Sequence, residues 1–90
     1  MPGAAFASER AWQLCPDVAL RDESFGALAY HYGTRRLVFL KSRDLVALVT
    51  SLEAYPSAAA AMDTLVPEGQ RAHYERALSK LAASEVIGAR

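Results

Sequence analysis

A single cysteine, Cys15, leaves the chain unable to close an internal disulfide, and no Cys-x-x-Cys pair is present to seat zinc. The histidines, His31 and His73, lack His-x-x-x-His spacing, so no sequence-local metal site exists and none is expected. With Cys15, His31, His73 and scattered carboxylates as the only candidates, no nucleophile, base and orienting group form a recognisable catalytic constellation. The five glycines, at 3, 26, 33, 69 and 88, never cluster, which removes a phosphate-cradling loop and with it nucleotide chemistry. The longest apolar run, Leu45 to Leu52 with Thr50 and Ser51 inside it, falls far short of the ~20 residues that span a bilayer, so no membrane partner is expected. Ten basic residues balance ten acidic ones, and the zero net charge removes the overall positive field that many nucleic-acid binders use. The opening MPGAAFASER lacks the basic leader and apolar run of a signal peptide, so a reducing cytoplasm is the expected compartment.

What the chain does have is apolar content: 52% of its 90 residues, enough for one small folded domain with a modest core. Residues 1–10 carry no periodic pattern and read as a mobile leader before a single domain over 11–90. Trp12 and Leu14 precede Pro16 at a spacing that suits an extended arm or one helical turn, with Trp12 as a core anchor and Cys15 as a small buried hydrophobe. Val18 to Arg21, Gly26 to Tyr32 and Leu37 to Leu40 then read as three strands of an antiparallel meander. In the second, Leu28, Tyr30 and Tyr32 alternate with Ala27, Ala29 and His31. His31 is expected on the solvent side. Asp22-Glu23-Ser24 and Gly33-Thr34-Arg35 supply the turns.

Everything downstream reads as helix. Ser42 is a candidate N-cap with Asp44 in the first turn, and Leu45, Leu48, Val49 and Leu52 form one stripe that ends before Pro56. Ser57 can cap a short alanine-rich helix, and Pro67 can seat in the first turn of a third helix running to about Ala83, with Tyr74, Leu78, Leu81 and Ala82 inward. Val86 and Ile87 are expected to return to the core, while Gly88, Ala89 and Arg90 are expected to fray. The fold class is α+β: a three-stranded antiparallel sheet followed by three helices, resembling a winged helix-turn-helix with its hairpin in front.

One charge asymmetry stands out. Arg35, Arg36, Lys41 and Arg43 surround the third strand with no acidic residue between Arg35 and Arg43. Such a cluster also fits a merely solvated hairpin. The last strand of a meander, however, has an unpaired edge, and an edge flanked by positive charge can recruit an acidic extended peptide. A small DNA-binding regulator is the alternative reading of the same charges. Glu68 and Glu75 would stand where its recognition helix approaches phosphates, which disfavours a nucleic-acid partner.

The stretch VALRDESFGALAYHYGTRRLVFLKS, with AWQLCP upstream and LVALVTSLEAYPSA downstream, resembles the mycofactocin biosynthesis chaperone family, related to the peptide chaperone of pyrroloquinoline quinone synthesis. The likeness covers roughly Ala11 to Ile87 and is most specific in FGALAYHYGTRRLVFLKS. It implies a non-catalytic peptide-recognition module with no cofactor of its own. Such a module binds a ribosomally made precursor peptide between its third strand and third helix. It delivers the peptide to a radical S-adenosylmethionine (SAM) maturase that carries the iron-sulfur clusters and oxidatively decarboxylates the tyrosine of a terminal Val-Tyr pair. The resemblance places the peptide along Arg36, Leu37, Val38, Phe39 and Leu40, with Arg35 in the adjoining basic cluster and apolar pockets beside Val38 and Leu40. The opposite wall corresponds to the third helix, with Arg71, Tyr74 and Leu78 as candidates, though Tyr74 and Leu78 equally fit an ordinary core stripe and an adjacent flank is open. Oligomeric state is left open.

Overall fold

The computed structural model describes residues 5–90. Five strands and three helices follow in the order β1 (Trp12–Leu14), β2 (Val18–Glu23), β3 (Gly26–His31), β4 (Arg36–Leu40), α1 (Arg43–Ser51), α2 (Ala58–Leu65), α3 (Arg71–Ala83) and β5 (Ile87–Ala89). Strands β2, β3 and β4 form the expected three-stranded antiparallel meander, in that order across the sheet. This α+β architecture, a sheet followed by three helices, is compatible with a winged helix-turn-helix-like arrangement.

Local chemistry sets the helix boundaries. The Ser42 hydroxyl accepts from the Leu45 amide at 3.0 Å and starts α1; the Ser57 hydroxyl accepts from Ala60 at the same distance and starts α2. A single 3₁₀ turn, Leu52–Ala54, tightens the end of α1 before Pro56, and another, Glu68–Gln70, stands between Pro67 and α3. Of the expected first stripe, Leu48 and Val49 on α1 and Leu52 in the turn after it are buried while Leu45 is half-buried against them; Tyr74, Leu78, Leu81 and Ala82 are buried along α3 as expected.

The sheet turns its small side inward. Ala27 and Ala29 are fully buried beneath the helical layer while Tyr32 faces solvent, because side chains on a strand alternate and small ones let a helix approach closely. Gly26, at φ +150°, is required where it stands. A Cβ there would sit 2.1 Å from the Leu40 carbonyl oxygen.

Two expectations need correction. First, His31 is not on the solvent side: it is 5% exposed, and its Nδ1 accepts from the amides of Gly33 at 3.0 Å and Thr34 at 3.1 Å. With Nδ1 accepting, the ring proton is assigned to Nε2, which faces the Cys15 sulfur at 3.7 Å. The ring therefore organises the β3–β4 turn from inside, where Arg35 takes a left-handed φ of 62°. Second, the C-terminus does not fray. β5 pairs antiparallel with β1, setting Ala89 opposite Trp12 and Gly88 opposite Gln13, and the Arg90 amide donates to the Ala11 carbonyl at 2.9 Å. The Trp12–Leu14 arm takes the extended one of its two expected forms, as a strand of this second, two-stranded sheet.

The expected leader over residues 1–10 lies partly outside the described residues, at 1–4. Within its remainder, the carbonyls of Ser8 and Arg10 accept from the Ala59 and Ala58 amides at the start of α2. The Ala7 carbonyl accepts from the Trp12 indole at 2.9 Å, and Phe6 packs on Trp12 with ring centroids 5.2 Å apart.

Candidate functional site

Strand β4 pairs with β3 on one side only, so its other edge is open. Which backbone groups that edge presents follows from the register. Ser24 and Phe25 make a turn of two residues that closes on the Glu23–Gly26 pair, and such a hairpin closes on a hydrogen-bonded pair. Alternation along the ladder then points the N–H and C=O of Ala27, Ala29 and His31 away from β2 and toward β4. Their partners Leu40, Val38 and Arg36 point back at β3. The short approach of the Leu40 carbonyl to Gly26 agrees with this. Leu37 and Phe39 are left with their N–H and C=O directed to the open edge.

Beside this edge lies a cleft of about 350 Å³ between β4 and α3. That is the small end of the ~300–1,000 Å³ range of ligand pockets, with room for a few side chains of an extended segment. Its floor is apolar, made by Val38, Leu45, Ala77 and Leu81, and its rim carries Lys41 from the end of β4 with His73, Arg76 and Lys80 from α3. No acidic residue lines it. Among the described residues the side-chain ion pairs are Arg21 with Glu23 and Arg71 with Asp63, so Lys41, Arg76 and Lys80 are not neutralised by a neighbour. The basic character read around β4 is thus doubled by a second basic wall.

Of the sequence-derived candidates, the structure brings Val38 and Phe39 to the cleft. Arg35 and Arg36 are exposed at the hairpin end, Leu37 is 63% exposed on the outer face of the sheet, and Leu40 is fully buried in the core and is not among the residues lining the cleft. On α3, Tyr74 and Leu78 are buried at 6% and 0% exposure, and Arg71 is tied to Asp63 of α2, away from the cleft. The residues on the cleft side of α3 are His73, Arg76, Ala77 and Lys80, a stripe at i, i+3, i+4 and i+7 that runs alongside the core stripe. That spacing was available in the sequence. Its side of the helix was not, because it depends on where β4 lies.

No described helix is long and apolar enough to cross a membrane. No solved structure matches the chain significantly. The sequence matches the peptide chaperone MftB family over residues 11–88. Peptide chaperone MftB from Mycobacterium ulcerans is 45% identical over 84 residues, covering 92% of this chain and 77% of that protein. The protein of the same name from Mycobacterium tuberculosis is 45% identical over 83 residues, 91% of this chain and 76% of the relative. That from Mycolicibacterium smegmatis is 43% identical over 83 residues, 91% and 81%. The matched segment begins at the strand that carries Trp12 and ends within β5, so it takes in both sheets, all three helices and the whole cleft, and the chain belongs to the peptide chaperone MftB family, whose members are named for binding a peptide rather than for catalysis.

Proposed function

We propose that this protein captures a ribosomally made precursor peptide as an added strand along β4 and presents it to a radical SAM maturase in mycofactocin-type biosynthesis. One observation carries the reading: an open strand edge adjoins an apolar-floored, uniformly basic cleft in a chain of the peptide chaperone family. Each part has its own task. The edge-facing N–H and C=O groups of Leu37 and Phe39 pair with the peptide backbone and supply affinity without reading sequence. Val38, Leu45, Ala77 and Leu81 receive apolar side chains from one face of the added strand. Lys41, Arg76 and Lys80 attract acidic residues of the peptide and speed encounter, an effect screened beyond ~8 Å at physiological salt. The protein does no chemistry itself. Iron-sulfur clusters and bond-breaking belong to the maturase, for which this chain holds the substrate extended.

Calorimetric titration of the protein with the synthetic precursor peptide, at low and high salt, tests this. Binding should be one to one and should weaken as salt rises. Reversing the exposed rim charges with Arg76→Glu and Lys80→Glu should weaken it by about five- to tenfold, chiefly through slower association, with the fold intact by circular dichroism. Absence of binding, or binding indifferent to both salt and charge reversal, would contradict the proposal.

A further inference from the structure

The outer face of the sheet, on the side away from the helices, carries several exposed large apolar side chains. Leu37, Phe39 and Tyr32 are 63%, 58% and 62% exposed, and Phe25, in the β2–β3 turn, is 43% exposed. Phe25 and Phe39 stand edge to face with centroids 5.9 Å apart, and with Lys41 they bound a shallow pocket whose lining is wholly apolar. A domain of 90 residues that leaves four large apolar side chains on one side of its sheet leaves them for a contact.

The occupant follows from strand geometry. A strand added along β4 places successive side chains on opposite faces of the enlarged sheet, so those not entering the β4–α3 cleft must stand beside Leu37 and Phe39 on the outer face. We infer that the captured peptide is read on both faces of the sheet, with a large apolar or aromatic side chain seated against Phe25 and Phe39 while its sequence neighbours face the basic cleft. This rests on β4 as the docking edge and adds a constraint to it. The peptide segment must alternate, carrying acidic or small apolar residues at one parity and a bulky apolar residue at the other. The cleft alone would accept any acidic extended segment; the aromatic pocket makes recognition depend on register, since a slip of one residue would put a charge against Phe25 and Phe39.

Phe25 is the residue to change, because it lies in an exposed turn outside β4 and contributes nothing to the backbone edge. Phe25→Ala should weaken precursor binding about tenfold, the scale of one lost aromatic contact with its buried area, and Phe25→Leu should restore most of it. An alanine scan of the peptide should show alternating sensitivity, and the loss from truncating the outward bulky residue should largely vanish in Phe25→Ala protein, as in a double-mutant cycle. Amide exchange at Leu37 and Phe39 under saturating peptide keeps the two levels apart. If those amides are protected yet Phe25→Ala binds like wild type, two-face reading is wrong and edge capture stands. If the amides gain no protection, the docking edge itself is wrong. Should Phe25→Ala disturb the fold by circular dichroism, Phe25→Gln, which keeps side-chain length but not the apolar surface, takes its place: loss of coupling to the outward residue supports two-face reading, and binding like wild type overturns it.

Discussion

Leu48 sits at 1% exposure in the middle of α1, facing the sheet beside Val49 and one turn before Leu52. Truncation to alanine removes buried methyl groups and opens a cavity that the close-packed alanines of β3 cannot fill. Leu48→Ala should therefore cost about 2 to 5 kcal/mol, measured by chemical denaturation, a large share of the ~5–15 kcal/mol available to a small domain. An unchanged midpoint would place the stripe on the wrong face. Residues of this kind were readable from sequence because their signal is local: the i, i+3, i+4 spacing and the serines at 42 and 57 fix helix face and start within one turn. His31 was not, since its burial depends on the turn that folds back over its own ring, and alternation along β3 sets the parity of side chains without saying which parity faces the core.

At the level of elements, the three-stranded sheet and the three helices were legible, and the β1–β5 pair was not. Each of those strands has three residues, too few for a periodic pattern, and their partners lie at opposite ends of the chain. The same limit applies to β4: its existence could be read, but the direction of its individual amides needs the register. That register makes a sharp prediction. Val38→Pro deletes an N–H directed at β3 and should break the hairpin, seen as loss of cooperative unfolding. Leu37→Pro deletes an edge-facing N–H, the place where an edge strand tolerates proline, and should stay folded while losing precursor binding far more than Leu37→Ala does. Equal damage to the fold from both prolines would show that the edge assignment is out by one residue.

Over the whole molecule, the proposed function depends on two walls from separate parts of the sequence. β4 contributes an open backbone edge, and α3 contributes His73, Arg76 and Lys80 on the flank beside its core stripe. The basic run around β4 and the apolar stripe of α3 were each visible in sequence. The matching of the basic edge to a second basic wall was not, because it arises only when the helical layer packs α3 alongside β4. Residue-resolved amide hydrogen exchange of the protein, with and without saturating precursor peptide, is the direct test of peptide binding by strand addition at this junction. In the free protein Val38 and Leu40 should be protected by β3 while Leu37 and Phe39 exchange freely. With peptide bound, Leu37 and Phe39 should become protected as well. Leu37 and Phe39 amides that still exchange freely in the saturated complex, with new protection appearing instead on β2 or α2, would contradict it.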